Sequence, residues 1–237
     1  MKLFVTSDIH SFFTPFKAAL DEAGFESGNS EHLLVICGDC FDRGNESCDL
    51  YKYLKATPNK IIVKGNHEEL LEECIKRGMP YMHDYSNGTY KTICDLGGMS
   101  HGRDFSECCV ITWNIVKPLL DQMVDYYETK KFVFVHSTIP LKEDWRLAHA
   151  QEWKDARWSN PFEFWEQVKI ENKTVVFGHW HTSWARARDE ICSEWGPDSC
   201  FEPYDGGDFI GLDACTAYTK KVNVLVLEDD LLGGKLF

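Results

Sequence analysis

One short stretch of the chain, residues 37–44 (Cys-Gly-Asp-Cys-Phe-Asp-Arg-Gly), carries residue types that are well suited to chemistry. It places two carboxylates, Asp39 and Asp42, beside the guanidinium of Arg43. Carboxylates bind hard cations, and arginine binds phosphate oxygens through paired hydrogen bonds. Taken alone, an Asp-Arg pair in a turn is most often a surface salt bridge. The stretch therefore indicates a metal and phosphate site only if other segments supply matching residues.

Residue types that bind metals follow five successive apolar segments. A single histidine after a strand is most often a satisfied polar residue, but the same chemistry after five segments is hard to attribute to chance. Because an open α/β sheet keeps its ligand sites at the carboxyl edge of its strands, these side chains can converge. Mixed oxygen and imidazole ligands suit manganese, iron or zinc better than calcium. The candidate ligands are Asp8, His10, Asp39, Asn66, His136, His179 and His181.

The segments that would position these residues alternate between strand and helix patterns. Helical spacing of apolar residues occurs over 13–23 and 46–56, and buried strands are expected on either side of each. This alternation predicts a layered α/β domain. The predicted strands are 2–7, 32–37, 60–64, 131–135, 174–177, 209–212 and 222–227.

Two segments interrupt this alternation. Between about residues 70 and 130 we predict an inserted helical cap, with helices around 70–76 and 113–127 and an irregular middle. Residues 143–167 are expected to be helical in pieces, with a break at Asn160-Pro161, and residues 182–207 to form a loop insertion. We therefore expect one domain over residues 1–237, with a cap and a loop added to it.

The bulk composition describes an ordinary globular chain that is acidic. It is 43% hydrophobic and 27% charged, with a net charge of -13. This charge argues against nucleic acid or an anionic membrane as the main partner, although bound cations would still permit an anionic substrate. Neither a signal peptide nor a membrane span is expected from the apolar runs. We therefore expect a cytoplasmic protein whose oligomeric state the sequence leaves open.

The ten cysteines are numerous but fit a reducing compartment. Cys37 and Cys40 have the spacing of a redox or zinc pair, yet no second pair with zinc spacing follows. Cys37 is expected to end a buried strand, so a packing role is favoured. Cys192 and Cys200 could bridge a loop under oxidation.

The ordered set of motifs resembles the calcineurin-like metallophosphoesterases, over residue 3 to about residue 181. The Asp-Arg-Gly and Asn-His-Glu forms are similar to the phosphoprotein phosphatase branch, particularly its compact bacterial and phage members and the symmetrical diadenosine tetraphosphatases. The resemblance implies an α-β-β-α sandwich. The matching blocks are Asp8-x-His10, Gly38-Asp39-x-x-Asp42-Arg43-Gly44, Gly65-Asn66-His67-Glu68, His136 and Gly178-His179, with a family-like ending at Ile210-Gly211-Leu212-Asp213.

The resemblance also implies roles for these residues and two divalent ions, expected to be Mn²⁺, with iron or zinc as alternatives. Arg43 would bind the phosphate, with Asn66 as a further substrate contact. His67, paired with Asp42, would donate a proton to the leaving oxygen, and Glu68 would orient nearby polar groups. The first ion would be held by Asp8, His10 and Asp39, and the second by Asp39, Asn66, His136 and His179.

Three departures from the family pattern leave questions open. The block after His136 reads Ser-Thr-Ile-Pro, where glycines are common in the family. His181, in a Gly-His-x-His pattern, either completes the first metal's shell or supports it from outside the ligand set. No residue clearly matches the family's second phosphate arginine. Arg157 is the nearest in order, and Arg186 and Arg188 are rivals.

The function predicted is hydrolysis of a phosphorylated substrate, a phosphomonoester that we expect to be phosphoprotein, by direct attack of a metal-bridging hydroxide. The alternative is a symmetrical dinucleoside polyphosphate hydrolase of the diadenosine tetraphosphatase type. A non-catalytic metal-binding regulatory protein is less favoured, because it would need only the ligands and not His67, Asp42 and Arg43. Seven of the eight tryptophans lie between residues 145 and 195. They are interpreted either as a small additional core or as an aromatic wall near His179 that stacks a phenol or nucleobase.

Overall fold

A computed structural model describes residues 1–167 and 169–229. In chain order, the strands in this part of the chain are β1 Lys2–Thr6, β2 His32–Cys37, β3 Lys60–Val63, β4 Tyr127–Glu128, β5 Phe132–Phe134, β6 Thr174–Phe177, β7 Tyr204–Asp205, β8 Phe209–Gly211 and β9 Leu225–Glu228. They form two mixed sheets. The first has the order β3-β2-β1-β9 and the second has the order β4-β5-β6-β8-β7.

Helices cover the outer faces of both sheets. The described α-helices are α1 Phe13–Ala23, α2 Ser47–Ala56, α3 Asn66–Arg77, α4 Met82–Asn87, α5 Thr89–Gly97, α6 Phe105–Leu120, α7 Ala150–Trp158, α8 Pro161–Phe164, α9 Thr182–Arg188 and α10 Thr216–Thr219. Short 3-10 helices lie at Met99–His101, Trp145–Leu147 and Trp165–Gln167.

The alternation of side chains along β1 explains the layering. Leu3 and Val5 point into a cluster shared with Phe134 and Val176 of the second sheet. Phe4, between them, faces the opposite way and packs in the cluster of α1, α2, α3, α5 and α6. Because each central strand is buried on both faces, the chain forms the predicted α-β-β-α sandwich.

Another hydrophobic cluster lies on the outer face of the second sheet. It combines Trp145 and Trp153 with Phe162 and Phe177, and other aromatic side chains pack against it. The predicted break at Asn160-Pro161 is confirmed, because α7 ends at Trp158 and α8 begins at Pro161 with the Asn160 side chain as its cap. Most of the clustered tryptophans therefore belong to a core.

The sequence patterns misplaced several element boundaries. The middle of 70–130, which we predicted to be irregular, is helical. Gly88 and Gly98 end its helices after a few residues, and such short helices show no clear period of apolar residues. The helix predicted for 113–127 begins earlier and ends at Leu120, two residues after Pro118, which cannot donate to the helix ladder. Residues 182–188 form α9 rather than loop, and the last strand begins at Leu225.

Helices α3, α5 and α6 share one hydrophobic cluster with α1 and α2. The segment predicted as a cap thus packs in the same layer as the first two helices, and the division of the chain into domain, cap and loop stays a prediction. All ten cysteines are free, and Cys37 and Cys40 are fully buried. No helix in the described part of the chain is long and apolar enough to cross a membrane.

Candidate metal centre

The carboxyl ends of strands from both sheets meet at one edge of the sandwich. Strands β1, β2 and β3 are parallel neighbours, and the residues that follow them include Asp8, Asp39 and Asn66. Strands β5 and β6 are parallel in the second sheet and lead to His136 and His179. The edge predicted to gather these side chains therefore does so, because the two sheets pack face to face with their exits side by side.

The backbone at these exits is held in an uncommon conformation. Asp8, His10, Asp39 and His179 have positive φ angles of 50, 51, 53 and 67°, in the left-handed region. Such residues cost about 1–3 kcal/mol each and persist only where surrounding structure fixes them. Six of the predicted site residues share this feature, since Asp42 and Arg43 also have positive φ.

Small residues beside the carboxylates make their close approach possible. A Cβ atom at Gly65 would collide with the side chain of Asp39, and one at Gly178 would collide with the side chain of Asp8. Because these two glycines have no side chain, main-chain amides can approach the carboxylates. The His67 amide donates to Asp39 Oδ1 at 3.0 Å, and the His179 amide donates to Asp8 Oδ2 at 2.9 Å.

The first group of potential ligands is centred on His10. Its Nε2 atom lies 3.9 Å from Asp8 Oδ1 and 3.7 Å from Asp39 Oδ2. Its Nδ1 atom lies 3.0 Å from the Phe41 carbonyl oxygen, and donation to this carbonyl leaves the Nε2 lone pair directed at the carboxylates. Burial lowers the pKa of His10 well below its usual value, so the ring is neutral.

The second group brings four acceptor atoms to one point. His136 Nε2 lies 2.8 Å from Asn66 Oδ1, 3.1 Å from His179 Nδ1 and 3.4 Å from Asp39 Oδ1. His136 Nδ1 donates to the Cys37 carbonyl at 2.8 Å, which leaves Nε2 as an acceptor. Burial, followed by the neighbouring His136, lowers the pKa of His179 to about 3. Uncharged imidazoles, an amide oxygen and a carboxylate that converge in this way fit a divalent cation.

Asp39 belongs to both groups. His10, Asp39 and His67 form one set of closely spaced potential ligand atoms, and Asp39, His136 and His179 form another. Burial would raise the pKa of Asp39, but interaction with the protonated forms of the neighbouring histidines holds that pKa below its usual value. Burial and the nearby charges of Asp213 and Asp39 raise the pKa of Asp8. This buried crowding of carboxylates is the environment that a pair of cations would stabilise.

His67 is held in a fixed orientation beside this centre. Its Nδ1 atom donates to Asp42 Oδ2 at 2.9 Å. Asp42 is in turn fixed by the hydroxyl groups of Thr89 and Thr92, at 2.6 and 3.0 Å. Burial disfavours the imidazolium, but the charges of Asp39 and Asp42 together raise the pKa of His67. The Nε2 atom lies 3.4 Å from Arg43 Nη2 and 3.9 Å from Asp39 Oδ2.

Glu68 shapes the loop rather than facing a ligand. Its fully buried carboxylate accepts from the main-chain amides of Asp39, Cys40 and Gly65 at 3.0, 2.9 and 2.8 Å. Burial and the charge of Asp39 raise the pKa of Glu68 to about 7. Two of these amides belong to the loop that carries Asp39, and the third, that of Gly65, directly precedes α3.

A comparison of the sequence with known families agrees with this arrangement. The sequence model of the calcineurin-like phosphoesterases matches residues 1–210. The chain belongs to the calcineurin-like phosphoesterase family. The match includes every predicted ligand, His67 and Arg43.

Individual members of the family are more distant. Symmetrical bis(5'-nucleosyl)-tetraphosphatases from strains of Buchnera aphidicola subsp. Acyrthosiphon pisum are 33% identical over 69 residues, which is 29% of this chain and 24% of theirs. The aligned part thus spans about a quarter of the length of these curated relatives.

Two solved structures share the fold. A protein provisionally described as a diadenosine tetraphosphatase is 18% identical, with a TM-score of 0.57 and coverage of 99% of this chain and 90% of the other. A cold-active protein-tyrosine phosphatase from a psychrophilic Shewanella is 15% identical, with a TM-score of 0.56 and coverage of 96% and 75%. At these identities the likeness concerns the fold.

In this phosphoesterase, a cavity of about 330 Å³ lies over the metal centre. We call six of the predicted ligands the floor, namely Asp8, His10, Asp39, Asn66, His136 and His179. His10, Asp39, Asn66 and His179 line the cavity, and Asp8 and His136 lie beneath them in contact with these residues. We call the far side of the cavity the wall, which consists of Trp180, His181, Trp195, Cys215, Thr216 and Ala217. Arg43, His67 and Asp213 also line the cavity and belong to neither the floor nor the wall.

Sequence reasoning missed Asp213 as a residue of the site. It follows β8, which is parallel to β6, so it obeys the same rule as the other strand exits. Its Oδ1 atom accepts from the Cys215 amide at 2.7 Å, and burial raises the pKa of Asp213 to about 6. The signal was the predicted strand 209–212, which Asp213 follows directly, and we interpreted these residues only as a family-like ending.

His181 stands at the wall rather than among the ligand atoms. Its Nδ1 atom lies 2.9 Å from Ser183 Oγ, and its Nε2 atom lies 3.4 Å from Glu194 Oε1. Both ring nitrogens are therefore occupied by partners outside the floor. Of the two positions considered for His181, this geometry favours a support from outside the ligand set.

Arg157 does not reach the cavity. Its guanidinium binds the carboxylates of Glu69 and Asp125, the latter at 2.6 Å, and donates to the Lys64 carbonyl at 2.9 Å. Because these partners use its donors, the geometry does not support a phosphate contact by Arg157. The rivals are also engaged elsewhere, since Arg186 donates to the Pro203 carbonyl at 2.7 Å and Arg188 lies over the Trp184 ring.

Proposed function

We propose that this phosphoesterase hydrolyses phosphomonoesters with the aid of two divalent cations, of which Mn²⁺ is our choice. The observation that carries the proposal is the sharing of Asp39 by two groups of possible ligands, one with Asp8 and His10 and the other with Asn66, His136 and His179. Beside them lie one guanidinium, Arg43, and one imidazole with a fixed tautomer, His67. A storage or regulatory metal site would need only the ligands.

The residues of the floor divide into two sets. Asp8, His10 and Asp39 would hold the first ion. The second would be held by Asp39, Asn66, His136 and His179. When bound, such a pair supplies a water of lowered pKa and neutralises charge on the phosphate oxygens.

His67 serves better as a proton donor than as a ligand. Its Nε2 atom lies 3.4 Å from the Arg43 guanidinium, which we propose as the phosphate contact, and both residues line the cavity. The Asp42 carboxylate at 2.9 Å from Nδ1 stabilises the imidazolium form. His67 can therefore carry a proton on Nε2 and give it to the departing ester oxygen.

Arg43 would bind the phosphate. It lines the cavity beside His67, and its main-chain amide is fixed by the Asn87 carbonyl at 3.0 Å. The guanidinium that this backbone carries can donate two parallel hydrogen bonds to the phosphate oxygens. Asn66 is proposed as a further contact, because its side chain faces the same cavity.

For the substrate, we favour a phosphoprotein, on the basis of the Asp-Arg-Gly and Asn-His-Glu motifs. A second candidate is a dinucleoside polyphosphate, which the 69-residue similarity to bis(5'-nucleosyl)-tetraphosphatases supports. We also propose a cytoplasmic location, since ten free cysteines suit a reducing compartment.

The test uses the full chain, stripped with a chelator and then reloaded separately with Mn²⁺, Fe²⁺ or Zn²⁺. Each form is offered phosphoserine and phosphotyrosine peptides, nucleoside monophosphates and diadenosine tetraphosphate. We expect no turnover without metal and recovery with two equivalents of Mn²⁺. Full activity in protein that contains no metal, or two bound ions with no turnover of any substrate, would contradict the proposal.

A further inference from the structure

The wall of the cavity contains a large aromatic surface that binding of phosphate and metal does not require. Trp195 lines the cavity and is 49% exposed. We infer that Trp195 determines specificity, because its ring can stack on a planar aromatic group joined to the phosphate of the substrate. This inference rests on the proposed function and adds a class of substrate to it.

The Trp195 ring is braced by three other rings. Its centroid lies 4.5 Å from that of His181, 5.5 Å from that of Tyr218 and 6.1 Å from that of Phe201. The Tyr218 contact is edge-on, at 85°. These neighbours pack against the tryptophan at tilted or edge angles, so half of its surface stays open. A ring that is held before binding loses little conformational entropy when a ligand arrives.

His181 is itself fixed, which makes the brace rigid. Its ring nitrogens face Ser183 Oγ at 2.9 Å and Glu194 Oε1 at 3.4 Å. Glu194 directly precedes Trp195, so the same contact holds the loop that carries the tryptophan. The wall thus joins the start of α9 to the loop that follows it.

The volume and composition of the cavity limit what the occupant can be. About 330 Å³ is near the small end of ligand cavities, which run from about 300 to 1,000 Å³. Trp158, the other strongly exposed tryptophan in the described residues, does not line this cavity. Floor and wall together therefore fit a phosphoryl group with one planar ring. The ring could be a phenol joined directly to the ester oxygen or a base joined through a sugar.

The test compares each variant with wild type on ring-bearing and ring-free substrates. O-phosphotyrosine and AMP carry rings, whereas O-phosphoserine and glycerol 2-phosphate do not. For Trp195→Ala we expect kcat/KM to fall roughly 5- to 100-fold on a ring-bearing substrate, the range for loss of one stacking contact. The ring-free substrates should be unaffected. Trp195→Phe should recover most of the loss, and Tyr81→Ala, an exposed ring outside the cavity, should change neither class.

The two ring-bearing substrates separate the two sources of the ring. A loss confined to O-phosphotyrosine would place a phenol against Trp195, and a loss confined to AMP would place a base there. Equal losses on ring-bearing and ring-free substrates, or no loss on either, would overturn the inference and leave the proposed function standing.

A binding measurement makes the inference independent of turnover. Phenylphosphonate and methylphosphonate present the same anion with and without a ring. Calorimetry on the Mn²⁺-loaded chain should show that Trp195→Ala weakens phenylphosphonate alone, with metal content unchanged. If wild type hydrolysed no ester yet showed this difference, the proposed function would fail while the role of Trp195 held. Equal affinities for both phosphonates in wild type would overturn that role.

Discussion

The floor and the wall of the cavity are built in opposite ways. The floor is almost fully buried, with Asp8 and Asp39 at 1% and 2% exposure, and its atoms are fixed by main-chain hydrogen bonds. The principal side chain of the wall, Trp195, is half exposed, and its ring packs against other rings. The floor carries chemistry that any phosphate ester needs, whereas the wall can change without disturbing it. Variants of the floor should therefore affect activity on every substrate, whereas variants of the wall should affect activity on some substrates and not on others.

The largest effect is expected at the residue that both ligand groups share. Asp39→Asn removes the negative charge between the ions, so we expect metal affinity to fall by more than the roughly 10- to 100-fold that loss of an outer partner costs. Activity should be lost on every substrate, with or without a ring. Added Mn²⁺ should restore it only in part. Isothermal titration with Mn²⁺, followed by assays across a range of metal concentrations, measures both effects.

Arg43→Ala is the matched control for this variant, because it changes the same loop without removing a ligand. It should keep two ions and lose affinity for substrate and for inhibitory free phosphate. If Arg43→Ala lost its ions while Asp39→Asn kept them, the roles assigned to this loop would be reversed.

A smaller loss is expected at His67, which we place beside the floor rather than in it. His67→Asn should keep both ions and lower kcat by roughly 10²- to 10⁴-fold on alkyl phosphates, the usual range for general acid–base assistance. The loss should be much smaller on p-nitrophenyl phosphate, whose departing oxygen needs little protonation. Equal losses on alkyl and nitrophenyl esters, or loss of an ion, would show that His67 has another role.

The difference between floor and wall also explains which residues of the candidate site could be predicted from the sequence. The floor residues follow strands, and a parallel sheet brings strand exits together wherever they stand in the chain. Asp39 and His136 are 97 positions apart in sequence, yet two short motifs were enough to associate them. The wall comes from a short helix and loops, where no periodicity links Trp195 to Ala217. The spacing of His181 from His179 left open whether His181 is a ligand or a support from outside the ligand set, and at the start of α9 its ring lies against Ser183.

Arg157 lies near the candidate site, but the geometry does not support the phosphate contact that we predicted for it. Next to it, Trp158 donates from Nε1 to Glu69 at 2.9 Å, and the main chain of Trp158 hydrogen-bonds to the His179 side chain. Arg157 therefore lies one residue from a group that supports His179, a proposed ligand of the second ion. The position of Arg157 in the chain suggested that it lies near the site. That position could not reveal that its guanidinium binds Glu69 and Asp125 instead of a phosphate.

The contacts of Arg157 lead to a prediction whose expected effect is smaller than the effect expected at His67. Arg157→Lys keeps the charge but cannot reproduce three donor contacts at once. We expect the affinity for the second ion to fall about 10-fold, the lower end of the cost of losing an outer partner, with the first ion unaffected. Excess Mn²⁺ should restore kcat, and KM for phosphate esters should not change. A raised KM at saturating metal would indicate the direct phosphate contact that the geometry does not support.

The smallest effect is expected at His181, where floor and wall meet. His181→Phe removes both ring nitrogens but keeps a ring against Trp195. Because those nitrogens face Ser183 and Glu194, we expect the chain still to bind two ions, with kcat/KM on ring-free esters within about twofold of wild type. His179→Phe, two residues away, is the matched control and should lose the second ion. A ligand role for His181 would instead make the two variants alike in metal titration, and His181 would then belong to the floor.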